Sequence, residues 1–508
     1  MIINKWNQLI GERLRYDKSD KWYKLICIVI LCIIMFVVFV CAKSFSGARV
    51  EYIIAACISL VTVLVLSLFC FTKIDFWKYV FVYIILMGGM LVFIQPILNV
   101  PDESAHFARS ELLSRGEFFI DPDLQVFETI ESVQDIQKEV GKTYVQSNIK
   151  DETIDYSSAE VLHVAASNIS VIYIPQAIGI MVAKLLNLDA IWLLWMARIF
   201  NLVFYSLLVF LAIKIAPKLK MLIFFAAALP ISIQQAASCS PDAMINGIAF
   251  LLFAYFIHLY YSKEGTIKTR DEICFFILGS LTTLAKISNI FITGLILLVP
   301  GSSFKNKKRA YFVKSIILLG VVILGGAYYL YTTTFAPNLE HLEYLKQTGV
   351  DSTKQLEFII GNFKMWLQIF GAALIYQAND YLKMFNYFGP IQYGYEILTP
   401  ILIFMFAKIC YQEDGIKLRI YEKICIFLMS IGIYIATCFA MYLSWTGVGA
   451  VNIEGVQGRY FIPLLVLCAF LFTSERKEVN NKRIHIVDIT AINVMLSSML
   501  ITLTAFYY

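Results

Sequence analysis

Long apolar stretches, separated by short and mostly basic breaks, run along almost the whole chain. From Leu25 onward, apolar runs of roughly 20 residues recur, the length a helix needs to cross a hydrocarbon core about 30 Å thick. They predict spans near 25–43, 53–72, 77–97, 192–213, 221–237, 243–261, 313–333, 393–411, 423–444, 460–474 and 487–506. Residues 273–300 lie between two basic clusters and read as two short antiparallel helices meeting near Lys286 and Asn289. The expectation is an all-α polytopic membrane protein with about 13 transmembrane helices. The apolar stretch Ile169 to Leu188 is different, because a full crossing there would put the next basic cluster on the wrong side. It predicts an amphipathic or re-entrant helix in the outer interface.

Orientation follows from Lys and Arg in short loops, which stay on the cytoplasmic side. The clusters are the N-terminal segment, Lys214/Lys218/Lys220, Lys263/Lys268/Arg270, Lys305/Lys307/Lys308/Arg309/Lys314, Lys417/Arg419/Lys423 and Arg476/Lys477/Lys482/Arg483. With these inside, the N-terminus is cytoplasmic, the C-terminus is outside, and residues 98–168 form one large first external loop with interfacial helices. That loop is acidic, with fourteen carboxylates against five cations. Four parts follow: 1–76, a cytoplasmic segment with two transmembrane helices; 77–334, a transmembrane core including the external loop 98–168; 335–392, a second external region with an amphipathic run around Leu356 to Leu374; and 393–508, the C-terminal transmembrane helices. Loops this long are usually functional, so any chemistry faces outward. The basic start and first apolar run also fit a secretory signal. No small-x-small cleavage site follows, however, and further spans come directly after, which favours a retained helix.

Composition agrees: 59% hydrophobic and 16% charged residues, against about 45–50% and 25% for soluble domains, make the lipid bilayer the main solvent. The 11 cysteines sit almost all within apolar runs, and no CxxC pair occurs, so neither a disulfide framework nor a zinc site is indicated. The net charge of +5 is diffuse and gives no sign of a nucleic-acid partner.

Three constellations carry candidate chemistry. In Pro101-Asp102-Glu103-Ser104-Ala105-His106, the proline suits the first turn of a helix and the carboxylates favour its positive end. His106 falls one turn beyond them. Asp102 or Glu103 then suits a general base, with His106 to orient it or share a metal; the same residues also suit a well-capped interfacial helix. Asp242 in Ser238-Cys239-Ser240-Pro241-Asp242 is either a helix N-terminal charge or a second carboxylate at that face, which with Asp102 suits either metal binding or an acid/base pair. The third set comprises Arg198 and Asn201, Lys286, and Arg459 with Tyr460 in Gly455-Val456-Gln457-Gly458-Arg459-Tyr460. Ionisable groups so near hydrocarbon are costly and usually functional, and a guanidinium matches a phosphate; snorkelling to headgroups is the competing explanation for Lys286. His163, within the large loop, is a candidate lining residue.

The motif Pro-Asp-Glu-x-x-His resembles an uncharacterised family of bacterial membrane proteins, a domain-of-unknown-function group. So does the order of Tyr173-x-Pro175, Ala197-Arg198-x-x-Asn201, Ser240-Pro241-Asp242, Lys286 and Gly455-Val456-Gln457-Gly458-Arg459-Tyr460-Phe461-x-Pro463. The resemblance spans roughly residues 80 to 470, and that family is similar in plan to the C-type glycosyltransferases (GT-C). It implies transfer of a sugar from a polyprenyl-phosphate-linked donor to an extracytoplasmic glycan acceptor at the outer face of the cell membrane. It assigns Asp102 or Glu103 as base, Asp242 as second carboxylate, and Arg198, Lys286 and Arg459 as donor-phosphate contacts. Two departures matter: two helices precede the usual start, and neither loop has an Asp-x-Asp pair, which leaves a divalent cation (Mg or Mn) open. A polymerase or ligase of lipid-linked glycans, or a flippase or transporter of them, is the competing function.

Overall fold

The computed structural model describes residues 2–42, 49–119, 127–161, 164–165, 168–334, 348–386, 398–412, 415–473 and 482–508. It is 76% helical, so the fold class is all-α. The first helices are α1 (Ile2–Ala42), α2 (Arg49–Phe71) and α3 (Phe76–Ile94). The loop that follows holds α4 (Glu103–Ser114), a two-stranded antiparallel ribbon pairing Phe127 with Val161 and Ile130 with Ser158, and α5 (Glu131–Lys138). Then come α6 (Ile174–Leu185), α7 (Ile191–Ile215), α8 (Lys220–Ala227), α9 (Pro230–Ala236) and α10 (Asp242–Tyr260). The chain continues through α11 (Thr269–Ala285), α12 (Ile290–Thr293), α13 (Lys307–Thr334), α14 (Ser352–Gly361), α15 (Phe363–Tyr376) and α16 (Ala378–Lys383). It closes with α17 (Leu398–Gln412), α18 (Ile420–Ser444), α19 (Ile462–Phe472) and α20 (Lys482–Tyr507).

Eight helices among the described residues are long and apolar enough to cross a membrane, or nine if a bent pair counts as one span. The other apolar segments are shorter. The stretch 221–237, expected as one crossing, is the pair α8 and α9, because Pro230 cannot continue a helix but suits the first turn of the next. Helices occupy Leu398–Tyr411 and Gly458–Phe472 where spans were expected, each below 18 residues. Residues 273–300 fold back on themselves: Gly279 lies against Thr293, and at the base Gly265 and Ile267 donate to the carbonyls of Ser302 and Ser303. The turn of this hairpin is Lys286. The amphipathic run expected around Leu356 to Leu374 is not one helix: it bends by 113° between α14 and α15, at Asn362. Ile169 to Leu188 forms a short 3-10 turn and α6, packed on α7 so closely that a methyl group on Gly179 would lie 2.2 Å from the Met196 carbonyl oxygen.

α7 is the central post, packing against α3, α6 and α10. The loop core of Phe107, Val133, Ile136, Ile149 and Ile154 is buried with Leu193 and Leu194 at its head. α1 and α2 pack on α20 and on each other, so the first and last helices form one layer. At one end of the molecule the basic loops meet: Lys218 Nζ donates to the Gly415 carbonyl and the Tyr260 hydroxyl to the Lys417 carbonyl. The other end carries the loop following α3, and there Asn99 donates to the Tyr507 hydroxyl and Tyr508 to the Ile94 carbonyl.

Candidate functional site

Where α3 ends, the chain turns sharply and starts α4 with Asp102 in the left-handed region, φ 65°. Asp and Asn are the side-chain-bearing residues that tolerate this conformation best. The carboxylate of Asp102 makes no capping bond to α4; it reaches instead across the fold to Arg459, with Oδ2 2.6 Å from Nη2.

Its neighbour Glu103 has the opposite environment. It is fully buried, and each oxygen receives two donors: Oε1 from Arg198 Nε (2.8 Å) and the Cys239 amide (3.0 Å), Oε2 from Arg198 Nη2 (2.9 Å) and the Val100 amide (3.3 Å). Arg198 spends its remaining hydrogens on the carbonyls of Val92, Gln95 and Pro96. All five guanidinium donors and all four carboxylate acceptor positions are therefore taken. Glu103 has no lone pair left for an acceptor proton and Arg198 no donor left for a phosphate, so the roles expected for them do not fit. They are a staple joining the exit of α3, α4, α7 and the loop before α10. Asn201, also expected to touch ligand, has its amide nitrogen bonded to the carbonyls of Gln235, Ser238 and Ser240 at 3.3, 2.7 and 3.0 Å. It shapes that loop.

Asp242, the first residue of α10, is held with its amide on the Ser240 hydroxyl and its carboxylate 3.1 Å from Arg459 Nε. Arg459 sits in a 3-10 turn that the motif glycines make possible. Gly455 adopts φ 74°, and a methyl group on Gly458 would lie 2.5 Å from Met384 Cβ and 2.8 Å from the Tyr381 carbonyl oxygen. Gly458 is thus required for close approach, and Gly455 for backbone conformation. The guanidinium, 4% exposed, also donates from Nη1 to the Pro101 carbonyl and to Gln235 Oε1, both at 3.1 Å. Lys286, at the hairpin turn, places Nζ 3.2 Å from the centroid of the Tyr460 ring, and the Arg459 guanidinium lies 5.6 Å from the same centroid. Five expected residues, Asp102, Asp242, Lys286, Arg459 and Tyr460, thus form one group drawn from four separate segments. Asp102, with 47% of its side chain exposed against 11% for Asp242, is the more exposed of the two acids in the group.

His106 is buried one turn along α4 and contacts the Tyr173 hydroxyl through Nδ1 at 2.9 Å; that hydroxyl also accepts from Asn168. It braces α4 against the turn before α6. His163 lies outside the described residues. Two residues went unnoticed in the sequence. Gln235 stands out only as half of a Gln-Gln pair inside an apolar stretch, a signal that was available. Arg109, on the His106 face of α4, is 1% exposed and donates to the carbonyls of Glu117 and Phe118 and the Ser170 hydroxyl; burial pushes its pKa below the usual arginine range.

A family model described as "Predicted membrane protein (DUF2142)" matches residues 85–468, which include every member of the group. The chain belongs to this family. No curated protein and no solved structure matches it. In this DUF2142 chain the match begins within α3 and ends within α19, leaving the layer of α1, α2 and α20 outside it. A divalent cation does not fit the pair Asp102 and Asp242 as arranged, because the Arg459 guanidinium lies between them. No cluster of three or more His, Cys, Asp or Glu able to hold a metal occurs among the described residues.

Proposed function

We propose that this DUF2142 protein is a membrane glycosyltransferase of GT-C plan that moves a sugar from a polyprenyl-phosphate donor to an extracytoplasmic glycan. The plan includes about 13 crossings when the short helices are counted, and the basic end faces the cytoplasm. The observation that carries the reading is the buried Arg459 linked to both Asp102 and Asp242, with Lys286 beside it. A lipid-linked phosphate needs cations at the membrane boundary, and an acceptor hydroxyl needs a carboxylate within reach of it.

In the transfer, the acceptor oxygen attacks the anomeric carbon while the bond from that carbon to the phosphate oxygen breaks, its electron pair leaving with the phosphate. The acceptor proton passes to Asp102, and the configuration at the carbon inverts. Arg459 and Lys286 stabilise the charge on the departing phosphate. The resting contact between Asp102 and Arg459 sets an order, because a carboxylate paired with a guanidinium is a weak base. The donor phosphate takes Arg459 first, and that exchange releases Asp102 for the acceptor. Asp102→Asn and Arg459→Ala each abolish the glycan modification at unchanged protein level in the membrane. Wild-type modification in both variants overturns the proposal.

A further inference from the structure

At the end of the molecule opposite Asp102, α11 and α13 lie side by side and enclose a groove of about 250 Å³. Ile273, Phe276, Phe312, Val313, Ile316 and Ile317 line it, and Glu272 and Arg309 stand at its head. Arg309 gives Nε and Nη2 to Glu272 at 2.9 and 2.6 Å, and Nη2 also to the Thr269 hydroxyl at 2.9 Å. Its Nη1 meets no acceptor among the described residues. Glu272 thus orients the guanidinium without using all of it.

Positive charge is in surplus around this head. Residues 268–272 and 305–309 contain six cations, Lys268, Arg270, Lys305, Lys307, Lys308 and Arg309, against two carboxylates. One of those, Asp271, already accepts from the Tyr255 hydroxyl and the Lys268 amide. The other is Glu272. A slot that is apolar along its length and cationic at one end matches a ligand with an acyl chain and an anionic headgroup; basic pockets between transmembrane helices recur as sites for such lipids. Any lipid tail covers an apolar groove, but the charge discriminates, since a zwitterionic headgroup brings its own ammonium into the surplus. We propose that this groove is a site for an anionic glycerophospholipid, with one acyl chain along Phe276 and Ile316 and its phosphate at Arg309 Nη1, within the field of the neighbouring Lys307 and Lys308. The site is independent of the glycosyltransferase reading.

Native mass spectrometry of the full chain, released from micelles holding equal dioleoylphosphatidylglycerol and dioleoylphosphatidylcholine, tests it. Each lysine or arginine near an anionic headgroup strengthens binding about fivefold, so the three cations retain phosphatidylglycerol roughly a hundredfold over phosphatidylcholine in the wild type. Lys307→Gln with Lys308→Gln leaves Arg309 alone and brings the ratio down to about fivefold, and Ile316→Trp fills the groove and removes the bound lipid without altering charge. The two lysines are exposed and Ile316 is 49% exposed, so neither variant disturbs the core. Equal retention of the two lipids by the wild type, an unchanged preference in the double lysine variant, or undiminished lipid retention by Ile316→Trp overturns the proposal.

Discussion

If Arg459 must leave Asp102 to hold a phosphate, removing the charge of Asp102 makes phosphate binding tighter, although the same change destroys transfer. Asp102→Asn is a clean perturbation. Asparagine keeps the shape and tolerates the left-handed backbone that position 102 requires, so α4 starts as before. The pair joins a buried guanidinium to a half-exposed carboxylate, which places it between an exposed ion pair at about 0–1 kcal/mol and a charge-assisted buried bond at about 1.5–3. A contact of about 1 kcal/mol gives roughly a fivefold lower Kd for the phosphate. Equilibrium titration of the detergent-solubilised chain with a short, soluble prenyl phosphate such as citronellyl phosphate measures it. Wild type binds weakly, Asp102→Asn binds about fivefold more tightly, and Arg459→Ala loses binding. Equal or weaker binding by Asp102→Asn refutes the exchange, whereas binding untouched by Arg459→Ala refutes the phosphate role itself.

Glu103→Gln strips the charge from a saturated buried pair and leaves Arg198 uncompensated, a loss of about 3–5 kcal/mol; thermal unfolding in detergent falls accordingly, and an unchanged midpoint contradicts the staple. Gly458→Ala forces the Arg459 turn away from Met384 and Tyr381, so citronellyl phosphate binding drops while the helical circular dichroism stays that of the wild type. Tyr173→Phe leaves the His106 ring and the Asn168 amide without their shared hydroxyl, at a cost of about 1–3 kcal/mol, read as faster proteolysis of the loop after α4. Cysteines placed at the exposed positions Glu128 and Lys308 separate the two faces: an impermeant maleimide labels the first in intact cells and the second only after lysis.

Much of the site was legible because its ionisable residues stand in places where hydrocarbon makes them expensive. Asp102, Asp242, Lys286 and Arg459 each interrupt or border an apolar run, and that exception to the pattern marked them before any contact was known. The pattern cannot say which charges face a ligand and which face each other. Glu103 and Arg198 looked like site residues for the same reason as Asp102 and Arg459, and only the tertiary fold, bringing together positions 95 residues apart, shows that they saturate one another. Helix lengths were only partly readable: the length of the apolar run 221–237 suggested one crossing and outweighed the break at Pro230 between α8 and α9, and the apolar run around Leu356 to Leu374 likewise outweighed Gly361-Asn362, where the chain bends. The fold-back of residues 273–300 came from charge placement alone, since both flanking clusters are basic.

The staple of Glu103 and Arg198 divides the site into two unequal walls. Asp102 and Asp242 are anchored to it directly, one as the adjoining residue, the other through the Cys239 amide and the loop Asn201 holds. Arg459 and Lys286 belong to pieces of chain that dock from elsewhere and meet the acids mainly through charge. A phosphate that enters the cleft therefore has to part cations from anions along the seam between these two walls.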